Sequence, residues 1–400
     1  MSLYPDIDRL DTLTFGWLKN GVITLRRLLK KLGNPQESYK VFHVAGTNGK
    51  WSTCQMLSQV LWKEFGYKVW LTTSPHLIKL NERIQINGVM ISDDELNSYL
   101  GQIYTITQDE HISLSFFEHM TLVAFLYFRD QKVDFAVVEV GLGGKYDATN
   151  VFTHPLATLI TTISDDHHRI LWNSLAQIFW NKAGILKKDV PCFTRLTTPL
   201  MHRAAQVKQA PLHIAHELVS TNLHGIHQQQ NAGLAFHCLT TLWFDPTRVR
   251  QWLTQITHPW RTQWLAANIL LDGAHNEEWV IVFTNYIQSI RHRFKKVITI
   301  FWSTKTREEY PKFFNTLIQG DINYLVLPAI EHRAVDPATY QQHLSFATSN
   351  WPTLSAIWDK LPRNDTNTLI IVYGSLYLAG EFLQTYAQKN AQSLSSWEKQ

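Results

Sequence analysis

Short apolar runs of strand length alternate with longer amphipathic segments from residue 41 to residue 389, and this alternation constrains the fold more than any other feature. Strands separated by helix-length crossovers pair in parallel, so the class is α/β. In the first part, strands are expected at 41–46, 69–73, 135–141 and 157–164. The last two are apolar throughout, as strands buried on both faces are. Helices are expected at 22–32, 52–65, 116–128, 174–186 and 231–244, and the box Ser92-Asp-Asp-Glu95 opens another that runs to about residue 107. Proline breaks at Pro246 and Pro259 flank one short amphipathic piece, after which a second alternation begins. That sets domains at 1–256 and 257–400. The second is the smaller, with strands at 269–272, 297–301, 324–328 and 369–373 and helices at 278–294, 308–318, 337–348 and 376–389. Residues 391–400 read as a polar, frayed end.

Composition removes several function classes. Thirty-seven Lys and Arg against 33 Asp and Glu leave a net charge of +4 without a run of like charges, which excludes a nucleic-acid stripe and a polybasic membrane anchor. Cys54, Cys192 and Cys238 are too few and too scattered for a disulfide framework or a cysteine zinc site. With acidic residues where a signal peptide needs basic ones, and no apolar run of 18 residues, the chain reads as cytoplasmic and soluble. Its partners are then small molecules, with neither nucleic acid nor membrane, and it is expected to be a monomer.

The segment Ala45-Gly-Thr-Asn-Gly-Lys-Trp-Ser-Thr53 joins a strand to a helix. Gly46 and Gly49 let backbone N–H groups converge on an anion, and the helix N-terminus adds its positive dipole end. Lys50 neutralises phosphate charge, and Ser52 places a hydroxyl within reach of a metal. Thr47 and Asn48 complete the turn. The spacing G-x-x-G-K is shorter than the Walker A motif and, taken alone, is shared with ordinary strand-to-helix turns. Glu139 ends an apolar run, where a carboxylate facing the phosphate turn would suit Mg²⁺, although strand-end glutamates are also commonly solvated.

At these residues the chain resembles the folylpolyglutamate synthase and dihydrofolate synthase branch of the Mur ligases. The resemblance rests on pieces in order along the chain: Gly46-Thr-Asn-Gly-Lys50, Thr73-Ser-Pro-His-Leu77 with Asn81-Glu-Arg83, Phe117-Glu118, the run from Glu139 to Asn150, Asp166-His167, Lys182-Ala-Gly-Ile185, His227-Gln with Asn231, Pro259 with Arg261, Asp272-Gly-Ala-His-Asn276, and Gly374-Ser-Leu-Tyr377. It implies a phosphate-loop domain with a mostly parallel sheet, followed by a smaller Rossmann-like α/β domain. It also implies ATP-dependent ligation of L-glutamate to a folate or dihydropteroate carboxylate through an acyl phosphate. On this reading Ser74, Glu139 and His167 hold Mg²⁺, and Lys182 carries a carbamate; without the resemblance Lys182 is a solvated helix lysine. Asn231 contacts adenine, while Arg261 and Asp272 reach the phosphates and ribose from the second domain. His275, His332 and Ser375 fall where glutamate and the reactive intermediate bind, and Ser74, Pro75, His76 and Arg83 face the pterin end of the substrate. Another Mur-type amino-acid ligase is the nearest alternative, and a catalytically silent nucleotide-binding member is the other. The latter draws support from Trp51 inside the phosphate turn and from Ser303-Thr-Lys-Thr306, where an acidic-Lys-acidic element is expected.

Tryptophan is out of proportion. There are 15 against 18 glycines, where glycine is usually about 7% of a chain. Trp51, Trp70, Trp172, Trp260, Trp279 and Trp302 all stand where the resemblance leads to the expectation of glycine. Random drift scatters many residue types over such positions, whereas a single replacement type has a single cause. The expectation is that these are UGA codons decoded as glycine in the source organism; a decayed member of the family is the alternative.

Overall fold

The computed structural model describes residues 4–10, 13, 21–76, 78–164, 174–257, 262–302, 318–326 and 353–390. The chain divides into two compact units, one comprising Met1–Asn222 and Ile226–Ile256, the other Leu223–Gly225 and Thr257–Gln400.

Unit 1 is built on eight strands: β1 (Lys40–Ala45), β2 (Val69–Thr72), β3 (Ile84–Ile86), β4 (Val89–Met90), β5 (Phe135–Glu139), β6 (Ala157–Ile160), β7 (Cys192–Thr194) and β8 (Leu212–Ile214). Their order is β4-β3-β2-β5-β1-β6-β7-β8. All pairings are parallel except those of the β2-β3-β4 meander. The helices are α1 (Pro5–Leu10), α2 (Gly21–Lys31), α3 (Lys50–Gln59), α4 (Asp93–Asp109), α5 (Phe116–Asp130), α6 (Leu175–Lys182), α7 (Pro199–Lys208), α8 (Ile226–Leu242) and α9 (Pro246–Leu253). The central strands are buried at every position, which is why they read as unbroken apolar runs.

The expected strands at 135–141 and 157–164 stop early, at Glu139 and Ile160. Beyond those residues the chain leaves the sheet to form loops at its carboxyl edge. The helix expected at 52–65 is α-helical only to Gln59 and continues as a π-helical turn, Val60–Glu64. Strands β3 and β4 and the short β7 and β8 went unread because strands of two or three residues carry too little periodicity.

Helix α5 is apolar nearly all round and lies within the main hydrophobic cluster. Ser115 opens it with a capping box: Glu118 accepts from the Ser115 backbone N–H at 2.7 Å and hydroxyl at 2.8 Å. The Glu118 carboxylate also lies against Gly21, where a Cβ would sit 2.1 Å from its Oε1. Only glycine lets α2 begin there.

Unit 2 has β9 (Gln263–Ala266), β10 (Ile269–Leu271), β11 (Lys296–Phe301), β12 (Ile322–Leu325) and β13 (Thr368–Tyr373), in the order β12-β11-β13-β10-β9. Only β9, at one edge, runs antiparallel. Its described helices are α10 (Glu277–Ile290), α11 (Leu354–Trp358) and α12 (Leu376–Lys389). The helices expected at 308–318 and 337–348 fall outside the described residues, apart from Ile318.

Candidate active site

Parallel strands deliver their following loops to one edge of a sheet, and in unit 1 that edge collects the expected groups. Strand β1 lies between β5 and β6, with Val44 beside Glu139 and Ala45 beside Ile160. Gly46, Thr47, Asn48 and Gly49 follow β1 and lead into α3, whose first residue is Lys50. Gly49 takes φ 84°, the left-handed conformation that favours glycine, and a Cβ there would meet Asn231 Oδ1 at 2.5 Å. Asn231, carried by α8, is thereby held against the phosphate turn, with its amide also donating to Gln228 Oε1 at 3.2 Å.

The turn is tied down from the β6 side. Thr47 N–H donates to the Thr162 carbonyl at 2.7 Å, Asn48 N–H to Thr162 Oγ1 at 3.0 Å, and Thr161 Oγ1 to the Asn48 carbonyl at 2.6 Å. Two amines converge on the same backbone. Lys50 Nζ donates to the carbonyls of Gly46 and Thr47 at 3.1 and 3.0 Å, and Lys182 Nζ, buried at the end of α6, donates to Gly46 at 2.8 Å. Glu139 is buried at the end of β5 and accepts from the Ser74 N–H at 3.1 Å, which joins the loops after β2 and β5. The neighbouring Cys54 thiol registers both charges: burial and the Glu139 carboxylate push its pKa well up, and Lys50 opposes them. Ser52 is buried in the first turn of α3.

On the β2 side, the Ser74–Pro75 peptide is cis, and His76 Nδ1 accepts from Arg83 Nε at 2.8 Å. Arg83 is itself buried, with its guanidinium 5.2 Å from the centre of the Phe116 ring. Thr72, Thr73, Arg83, Ile84, Phe117, Met120 and Thr121 line a pocket beside these residues.

Several contributors had been given no role from sequence. Asp147, fully buried, accepts from the Leu142 N–H at 2.9 Å and from the Thr149 N–H and hydroxyl, fixing the glycine-rich loop that follows Glu139. Thr149 Oγ1 in turn lies 2.9 Å from His43 Nε2 in β1. The signal for Thr161 and Thr162 was present, as two hydroxyls directly after an apolar strand.

In unit 2, Asp272 follows β10, accepting from Thr262 N–H at 2.7 Å and Ala274 N–H at 2.8 Å. His275 Nδ1 lies 2.9 Å from the Gly273 carbonyl, with its ring edge-on to Trp279. Ser375 caps α12 by accepting from Tyr377 N–H at 3.1 Å. His167, Arg261 and His332 lie outside the described residues, as do Trp172 and Trp260.

A glycine turn between β1 and α3 on a mostly parallel sheet, followed by a second, mostly parallel α/β unit, fits the Mur ligase class. Residues 44–192 match the Mur ligase middle domain model and residues 256–385 the dihydrofolate synthetase C-terminal domain model. Among curated proteins, the chain is 36% identical over 313 residues to a Bacillus subtilis dihydrofolate synthase/folylpolyglutamate synthase, covering 67% of this chain and 72% of that one. It is 30% identical over 408 residues to a probable dihydrofolate synthetase of Schizosaccharomyces pombe, covering 90% and 97%. A Yersinia pestis bifunctional folylpolyglutamate synthase/dihydrofolate synthase, solved with AMPPNP and a Mn ion, shares the fold with a TM-score of 0.81 at 24% identity over 95% of this chain and 97% of that one. The chain belongs to the dihydrofolate synthase/folylpolyglutamate synthase family of ATP-dependent ligases. No helix among the described residues is long and apolar enough to cross a membrane.

Proposed function

We propose that this chain joins L-glutamate to the carboxylate of a folate or dihydropteroate at the expense of ATP, with the first unit, 1–256, binding the nucleotide and the second, 257–400, serving glutamate ligation. The observation that carries the reading is the meeting of Lys50, Lys182 and Asn231 on one glycine turn, with Glu139 and Ser74 joined on the adjacent strands. The substrate carboxylate oxygen attacks the γ-phosphorus, the bond to the bridging oxygen breaks, and ADP leaves an acyl phosphate. The α-amine of glutamate then attacks the acyl carbon, phosphate departs, and a proton is released as the amide forms. Phosphoryl transfer asks little of a protein beyond positioning and charge neutralisation, which the N-terminus of α3, Lys50 and Arg261 would supply.

Glu139 and Ser74 fit Mg²⁺. They offer hard oxygen donors side by side at the carboxyl edge of the sheet, Glu139 from a buried strand end. With His167 they would hold the ion, which would supply charge neutralisation at the phosphates. Lys182 is the lysine we assign to carbamoylation, its amine adding to CO₂ with loss of a proton. Ser74, Pro75, His76 and Arg83 take the pterin end. Asp272, His275, His332 and Ser375 serve the nucleotide and glutamate from the second unit.

Purified protein should release ADP only when both glutamate and the acyl substrate are present, and a panel of dihydropteroate and reduced folates should name that substrate. ATP binding with no ADP release in the presence of glutamate and the acyl substrates would sink the ligase reading in favour of a silent nucleotide binder. Lys50→Ala, Glu139→Ala and His167→Ala should each abolish turnover in a folded protein; turnover within about threefold of the parent removes that residue from the site.

A further inference from the structure

Helix α8 ends at Leu242, and the chain reverses with the Phe244 N–H donating to the Leu239 carbonyl at 3.1 Å. This six-to-one bond makes a Schellman motif, whose C′ position, Trp243, must leave the right-handed region. The same bond closes α2, with Asn34 donating to Leu29 at 2.7 Å, and there C′ is Gly33 at φ 80°. Where other residue types hold C′, as His111, Lys132 and Gln209 do, φ lies between 50° and 53°, in the small left-handed well that side chains tolerate. Trp243 instead sits at φ 128°. That region is essentially confined to glycine. Trp243 is 59% exposed, and its ring meets only Phe244 at 5.8 Å and the Lys40 ammonium at 5.6 Å among the described residues, surface contacts that offset little of the strain.

One further tryptophan misfits in another way. Trp70, in β2, is fully buried, its indole N–H meets no acceptor, and its ring centre lies 2.9 Å from that of Phe128 at 27° between planes. Aromatic pairs settle at about 4.5–7 Å, so the two rings compete for one space. Trp302, directly after β11, is also buried with an N–H lacking an acceptor. By contrast, Trp264 donates to Tyr286 Oη at 3.0 Å and stacks on Phe294 at 6.3 Å. Trp358 lacks an acceptor too, yet its ring takes the Arg363 guanidinium at 4.7 Å and Phe382 at 5.3 Å. A missing acceptor alone therefore does not mark a misplaced tryptophan; overlap or glycine-only φ does.

We infer that the working protein carries glycine at 70 and 243, read from codons that the source decodes as glycine, and genuine tryptophan at 264 and 358. Position 243 was not among those singled out from sequence, so its backbone geometry is independent support for recoding. The inference stands on geometry and packing and does not depend on the ligase reading.

Peptide mass spectrometry of the protein from its source should read glycine at 70 and 243 and tryptophan at 264 and 358. Tryptophan at 243 overturns the inference, as does a UGG codon there. In the full chain made with tryptophan throughout, Trp243→Gly should raise the melting temperature by at least about 2 °C, because relief of the φ strain exceeds the added freedom of glycine in the unfolded chain. Trp264→Gly should lower it. An unchanged or lower melting temperature for Trp243→Gly counts against the inference.

Discussion

His43 shows how one residue's environment sets its chemistry. Its Nε2 faces Thr149 Oγ1, whose own proton goes to Asp147, so Nε2 is the donor and Nδ1 keeps a lone pair that meets no partner. Protonating Nδ1 would leave a buried N–H unsatisfied, and burial, with the Lys187 charge adding to it, lowers the pKa to about 3. The unfolded chain takes up this proton below about 6.5 and the folded chain only near 3, so stability falls as pH drops through that window. Asp147 acts in the opposite sense: burial raises its carboxyl to about 6, so the folded chain binds the proton first and gains stability as pH drops from about 6 to about 4. The histidine window is the wider, so acidification should destabilise on balance. His43→Gln should therefore reduce the loss of urea midpoint between pH 7 and pH 4. An identical loss in parent and variant would refute the assignment.

At the scale of elements, helix ends do much of the positioning. Ser115→Ala removes the cap of α5 and leaves the buried Glu118 short of a donor, which should cost about 1–2 kcal/mol in thermal unfolding, whereas Ser115→Thr should restore most of it. Gly49→Ala meets a left-handed φ and Asn231 together, so ATP affinity should fall at least about tenfold in an otherwise folded protein. Unchanged affinity by calorimetry would mean that the turn does not hold the nucleotide. The capping box at Ser92 was legible because its four residues carry the whole signal. The equivalent box at Ser115 was hidden because Phe116 and Phe117 made the segment look apolar throughout.

For the whole molecule, both units should be needed. A chain ending at residue 256 should give no glutamate-dependent ADP release, and full activity from it would remove Asp272, His275 and Ser375 from the reaction. The class of fold was legible because periodicity and chain order are local properties: apolar runs at 41–46, 135–141 and 157–164 and the glycine turn between β1 and α3 are written in consecutive residues. The loops carrying Lys50, Glu139 and Ser74 were placed at one edge by the parallel pairing rule alone. What sequence could not decide was which groups touch across distance. Lys182 reaches Gly46 and Asn231 reaches Gly49 only because α6 and α8 fold back onto the turn, and no local pattern encodes such a contact. The same holds for the tryptophans: their number was plain from composition, but strain at Trp243 and overlap at Trp70 exist only once helix α8 has closed and α5 has packed on the sheet, because backbone angle and excluded volume are set by the folded neighbours and not by the residue itself.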